Sequence, residues 1–312
     1  MASMVLHLRS ETKYLERCSA LSPLTTKSLL EAGYRINVER SPSRIFQDKE
    51  FEAVGATLVP AGSWRMISPF TTNTSNSAIA TNGKTAGSDI SFAQGGGTLY
   101  DIEFLADASG RRVAAFGYYA GYAGAAIALV AWSHQLTHPV GEPLRSIPIS
   151  DYESESAVVK SVKSALSSSL PNNAGQPPRV LIIGALGRCG SGAADFCLAA
   201  GVPASSILKW DTSETASGGP FPEIAAADIF INCIYLAAPT PPFVTRDSLS
   251  KHDRRLRVAC DVSCDPNNPH NPVPVYSDYS TFERPTLPVE SSGKRGESGI
   301  LVAVVAEFED TT

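Results

Sequence analysis

The sequence predicts an α/β protein with parallel sheets, and three observations carry that prediction. Residues 4–59 alternate short apolar strands with helical segments, a second alternation of the same kind runs from 179 to 262, and the strands of that second run are separated by stretches long enough for helical crossovers. The chain has 312 residues, about two domains at roughly 150 residues each, and needs neither disulfide nor metal to build its cores.

In chain order, residues 4–9 (MVLHLR) read as a strand and 23–32 (PLTTKSLLEA) as a helix closed by Gly33. Residues 34–38 (YRINV) make a second strand, 51–54 a short helix and 57–59 a third strand. From 65 to 97 the composition changes: 18 of 33 residues are Ser, Thr, Asn or Gly, and only Arg65, Lys84 and Asp89 carry charge. This stretch has no helix or strand signal, so it is expected to be disordered, a lid, or sequence foreign to the fold.

A strand resumes at 98–104 (TLYDIEF) and leads through the turn Asp107-Ala108-Ser109-Gly110 to a long apolar stretch. Residues 113–133 carry no charge and place Gly117 and Gly121 at GxxxG spacing. Their Ala, Gly and Tyr content drives transfer to lipid only weakly, so a long helix buried in a soluble protein is preferred to a membrane span. A polar link through Pro143 and Pro148, then an amphipathic stretch at 158–166, lead to the Pro-, Gly- and Asn-rich residues 172–178. Four strands follow, at 179–183, 207–211, 229–234 and 258–262. The expected division is a first domain at 1–135, a second at 150–290 and an irregular tail at 291–312 that contains the apolar run ILVAVV.

With 26 basic and 31 acidic residues and a net charge of −5, nothing marks a nucleic-acid or anionic-membrane partner. Six scattered cysteines without a CxxC pair, and a start (MASMVLHLRSETK) without an apolar signal region, point to a reducing, cytosolic setting.

The sharpest local signal is RVLIIGALGRCGSGAADFCLAAG at 179–201. An apolar strand runs directly into Gly184, Gly187 and Gly190 and then into a helix, the context in which a glycine-rich turn aims a helix N-terminus at a pyrophosphate. The spacing is GxxGxxG instead of GxGxxG. Twenty-one residues past Gly190, at the end of the next strand, stands Asp211, placed to accept from the ribose hydroxyls of an adenosine and to disfavour a 2′-phosphate, so NAD is favoured over NADP. The alternative is a tight strand-to-helix turn with an incidental aspartate. Tyr235 and Val262 to Asp265 end strands facing the same crevice, and Cys189 and Cys233 share its rim, where two reduced thiols are favoured over a disulfide.

These residues, with LHLRSETKYLE, GATLVPAGSW, GTLYDIEFL, GRRVAAFGYYAG, ILKWD, DIFINCIYL, CDVSCD and NPHNP, resemble the fungal NAD-dependent, L-lysine-forming saccharopine dehydrogenases, relatives of alanine dehydrogenase. The resemblance spans about residues 4 to 64 and 98 to 290. It implies two Rossmann-like domains with parallel sheets and an interdomain cleft. It also implies oxidative deamination of saccharopine to L-lysine and 2-oxoglutarate with NAD, in lysine biosynthesis via α-aminoadipate. Arg111, Gly187, Arg188, Asp211, Thr215, Tyr235 and Val262 match the family's cofactor positions, and Gly184 and Gly190 complete the turn. Arg112, Phe116, Ser263, Cys264 and Asp265 match its substrate positions, with Arg112 pairing with a carboxylate. Lys13 and Glu16 stand in register with the N-terminal motif.

Three departures bear on activity. Cys18 stands where the family's K-x-x-E-x-R pattern has arginine, with Arg17 one residue early and so directed to the other side of an extended backbone. The family's catalytic lysine and histidine lie in the stretch that here is 65–97, which has no histidine and only Lys84 in an unrelated setting. After Glu290 the family's next strand and closing helices are replaced. No catalytic residue is therefore assigned, and His7, His134, His138, His252 and His270 read as structural. Three outcomes stay open: an active dehydrogenase with an acid/base outside the family pattern, an inactive NAD-binding homologue, or a truncated or mis-spliced gene product.

Overall fold

The computed structural model describes residues 4–10, 17, 19–63, 76–80, 98–101, 106–110, 113, 116–139, 142, 144, 152, 154–250, 253–263, 266, 268–281, 283–289 and 301–305. The chain divides into two compact units, Met1–Ala115 and Phe116–Thr312.

The first unit is built on five parallel strands in the order β3-β2-β1-β4-β5. These are β1 (Val5–Leu8), β2 (Arg35–Glu39), β3 (Thr57–Val59), β4 (Asn76–Ala80) and β5 (Thr98–Asp101). Helix α1 (Pro23–Glu31) begins at Ser22, whose side chain caps the Thr25 N–H. Helix α2 (Asp48–Ala53) starts with Glu50 reaching back to the Gln47 N–H at 2.6 Å. Leu6, Leu8, Ile36, Val38 and Phe51 form the core between sheet and helices. The strand β4 corrects the expectation that 65–97 lacks regular structure. Asn76–Ala80 pairs in parallel with β1 on one side and β5 on the other. A sheet ladder is made by the backbone, so a Ser- and Asn-rich stretch can enter it where β1 would otherwise leave an edge unpaired.

The second unit holds a six-stranded sheet in the order β10-β11-β9-β8-β6-β7. Its strands are β6 (Val180–Ile183), β7 (Ile207–Trp210), β8 (Ile229–Asn232), β9 (Val258–Asp261), β10 (Leu287–Val289) and β11 (Leu301–Val305). All pairs are parallel except β10 with β11. Strands β6, β8 and β9 are buried along their whole length, as strands covered on both faces must be. The second correction is β11: the tail expected to be irregular contributes a strand between β9 and β10. An uninterrupted apolar run rich in β-branched residues is a strand signal, and the polar residues before it mask that signal in a wider window.

Helix α3 (Gly117–Thr137) lies in this second unit, although the sequence boundary at 135 assigns it to the first. Its Leu129 and Trp132 share a core with Phe196, Ile182 and Ile231, beside α4 (Glu155–Ser169). The other face of the sheet is covered by Phe221, Ile224, Phe243 and Leu249, from the segments around α7 (Pro222–Ala226) and α8 (Arg246–Leu249). Among the described residues no helix is long and apolar enough to cross a membrane.

Candidate functional site

The chain leaves β6 for β7 on one side of the sheet and returns for β8 on the other. The carboxyl ends of β6 and β8 therefore flank the point where the strand order reverses, which is where open α/β sheets form their ligand crevice. The connection from β6 to α5 (Arg188–Ala199) is the glycine-rich turn.

Each glycine there has a separate steric reason. Gly184 adopts φ +83°, and a Cβ on it would lie 2.8 Å from Ile234 Cγ1 and 3.1 Å from the Cys233 carbonyl. Gly187 is the N-cap of α5, and a Cβ there would meet only the Gly184 carbonyl, at 3.3 Å. Gly190 is pressed on the turn itself, where a Cβ would lie 2.1 Å from the Gly184 carbonyl oxygen, too close for any side chain. The spacing GxxGxxG thus builds a closed turn: the Gly187 N–H donates to the Gly184 carbonyl at 3.1 Å and the Gly184 N–H donates to the Trp210 carbonyl at 2.9 Å. The N–H groups of Arg188, Cys189 and Gly190 open the helix and have no partner within it. With the helix dipole they favour an anion at this end.

Asp211 ends β7 beside this turn. Its carboxylate accepts from the Leu186 N–H at 3.1 Å and from the Thr212 N–H at 2.9 Å, so it is held against the glycine-rich loop and below the usual Asp range by those backbone donors. It caps the short helix α6 (Thr212–Thr215), and Glu214 reaches back to the Asp211 N–H at 2.7 Å. Thr215 donates its hydroxyl to the Asp211 carbonyl at 2.9 Å. Leu186 is 83 % exposed, leaving an apolar side chain bare next to the carboxylate.

Across the crevice, Cys233 and Tyr235 follow β8, and Val262 and Ser263 follow β9. Tyr235 is exposed, Ser263 half-buried and Val262 buried against Gly124 of α3. The neighbouring Cys189 thiol, together with burial, pushes the titration of Cys233 up, and both are free thiols. Below them Asn232 donates to Asp261 at 2.9 Å and the Tyr276 hydroxyl donates to it at 2.6 Å. Burial pushes Asp261 up to about 6.

The structure therefore brings together Gly184, Gly187, Arg188, Gly190, Asp211, Thr215, Tyr235, Val262 and Ser263 at one end of the second sheet. Phe116 lies at the N-terminus of α3, exposed. Arg111, Arg112, Cys264, Asp265, Lys13, Glu16, Cys18 and Lys84 lie outside the described residues. Sequence reasoning missed Glu214 and the Asn232–Asp261–Tyr276 network. The first was legible as an Asp-x-x-Glu capping box directly after a strand; the second joins positions up to 44 residues apart and has no local signature.

In the first unit, Glu39 is fully buried and accepts from His7 Nε2 at 3.1 Å, from the Ser10 N–H and hydroxyl at 3.0 and 2.9 Å, and from the Ser63 hydroxyl at 3.3 Å. It ties the exit of β1 to the end of β2 and the turn after β3.

Comparison with known proteins gives the family. Residues 7–69 match the alanine dehydrogenase/PNT N-terminal domain family. A solved L-alanine dehydrogenase shares the fold with a TM-score of 0.54 at 16% identity, over 97% of this chain and 82% of that one. Saccharopine dehydrogenase [NAD(+), L-lysine-forming] of Yarrowia lipolytica is 50% identical over 93% of this chain and 83% of its own length. The protein of the same name from Neurospora crassa is 49% identical over 93% of this chain and 82% of its own length. With half of its residues shared across most of both chains, this protein belongs to the NAD(+)-, L-lysine-forming saccharopine dehydrogenase family.

Proposed function

We propose that this chain binds NAD on the turn between β6 and α5 and acts as a saccharopine dehydrogenase, oxidising a secondary amine to release L-lysine and 2-oxoglutarate. The observation that carries the reading is the pairing of a side-chain-free helix N-terminus at Gly184, Gly187 and Gly190 with the Asp211 carboxylate beside it. The free N–H groups of α5 suit a diphosphate, and the Asp211 carboxylate suits a ribose diol. A side chain at Gly190 would collide with the backbone of the turn, and one at Gly184 with Ile234 and the Cys233 carbonyl, so this cradle is built for close approach.

When bound, NAD supplies the hydride acceptor. The chain's own part is to hold it: Arg188, Thr215, Tyr235 and Val262 line the cofactor side by family position, with Arg111, and Arg112, Phe116, Ser263, Cys264 and Asp265 take the substrate side. The absence of a histidine from 65–97 and Cys18 in the arginine position favour a second reading, cofactor binding without turnover. Amine deprotonation and imine hydrolysis both need a group that titrates near the working pH.

The experiment is a fluorescence titration of NADH into the purified chain with a parallel assay of NADH formation from saccharopine and NAD. Binding with turnover is the expected result for the first reading. Binding without turnover establishes the second, and no binding at all overturns both.

A further inference from the structure

We propose that Glu214 is a specificity-determining residue that acts with Asp211 to reject a 2′-phosphate, so that this site discriminates NAD from NADP through two carboxylates and not one. The inference rests on the cofactor reading above and adds a residue to it.

The turn that ends β7 carries the groups a phosphate on the adenosine ribose would need: the Thr212 N–H and hydroxyl, and the Ser213 hydroxyl. All three are already taken. Asp211 Oδ1 accepts from the Thr212 N–H at 2.9 Å and from its hydroxyl at 3.1 Å, and Glu214 Oε1 accepts from the Ser213 hydroxyl at 2.8 Å. The second Glu214 oxygen accepts from the Asp211 N–H at 2.7 Å, which holds the exposed carboxylate beside the strand end. Removing the Asp211 charge alone therefore leaves a second carboxylate on the same turn. Both groups titrate below their usual ranges because they accept from backbone N–H groups, so both are ionised at neutral pH.

A purely structural role for Glu214 is separable from this one. As a helix cap it would affect NADH and NADPH alike, whereas a charge opposed to the 2′-phosphate weakens NADPH alone. Glu214→Gln retains an oxygen for the Asp211 N–H and removes the charge. Glu214→Ala removes both.

The test is a fluorescence titration with NADH and NADPH, whose nicotinamide reporters are the same, on the unsubstituted chain, Glu214→Gln, Glu214→Ala, Asp211→Asn and Asp211→Asn/Glu214→Gln. The expected result is that Glu214→Gln lowers the preference for NADH over NADPH by about fivefold to tenfold, the size of a near-surface charge repulsion at several ångströms. The double substitution lowers it further than Asp211→Asn does. Raising the salt concentration shrinks the preference of the unsubstituted chain more than that of Glu214→Gln. An unchanged preference in Glu214→Gln, or equal weakening of both nucleotides in both Glu214 variants, overturns the inference and leaves the cofactor reading intact. Failure of the unsubstituted chain to bind NADH overturns the cofactor reading and this inference together.

Discussion

Asp261 shows how a single buried group sets a pH dependence. It is 2 % exposed, and burial outweighs the bonds from Tyr276 and Asn232, so it titrates at about 6 against an ordinary 3.8. A carboxyl raised on folding binds its proton more tightly in the folded state than in the unfolded one. Its favourable share of stability is complete below the ordinary value and is lost as pH climbs from there through about 6. The difference corresponds to on the order of 3 kcal/mol. Asp261→Asn keeps an oxygen for the Asn232 amide and cannot ionise. Its urea midpoint is therefore expected to gain on that of the unsubstituted chain between about pH 4 and pH 7, in line with the loss of that linkage. A constant difference between the two proteins across that range would show that Asp261 does not titrate there.

At the scale of elements, the packing of α3 on α5 depends on missing side chains. A Cβ on Gly121 would lie 1.9 Å from the Cys189 carbonyl, and one on Gly192 would lie 2.0 Å from the Tyr118 carbonyl. Backbone faces backbone on both sides, so neither contact can be relieved by a rotamer change. Gly192→Ala is expected to cost about 3 kcal/mol or more, the upper part of the range for overpacking. Gly175→Ala, at φ +73° with open space around it, costs about 1 kcal/mol from backbone strain alone. Thermal unfolding of the two variants measures the contrast. Strand β11 is testable in the same way. Ala303 stands opposite Leu287 on one side and Ala259 on the other, so Ala303→Pro removes a ladder donor from the sheet interior, at about 3 kcal/mol. If the substitution is neutral, 301–305 does not pair in solution.

These elements also show what sequence can reveal. Strands β6 to β9 were legible as apolar runs at crossover spacing, the turn at Gly184–Gly190 because β6 runs straight into glycines, and Asp211 because its distance from the turn is set by one helix and one strand. Strand β4 was not, since its pairing partners β1 and β5 supply the reason for its existence and its own composition does not. Helix α3 was recognised as buried, but which sheet it covers depends on a glycine-to-backbone fit with α5 that no periodicity encodes.

For the whole molecule, the two units have separate cores: Leu8, Val38 and Phe51 in one, and Leu129, Trp132, Phe196, Ile182 and Phe230 in the other. The glycine-rich turn and Asp211 belong entirely to the second. A ligand that binds only the folded form stabilises whatever unit contains its site, by about 2.7 kcal/mol at one hundred times its dissociation constant. NADH in that excess is therefore expected to raise the unfolding free energy of residues 116–312 by more than that of the first unit, to which the proposed cofactor set assigns Arg111 alone. Hydrogen exchange resolves the two: protection should increase in β6, β8 and α5 by more than in β1, β2 and α1. Equal protection gained by both units would mean that they unfold cooperatively or that the nucleotide contacts both. Protection gained in the first unit alone would remove the cofactor from the β6–α5 turn altogether.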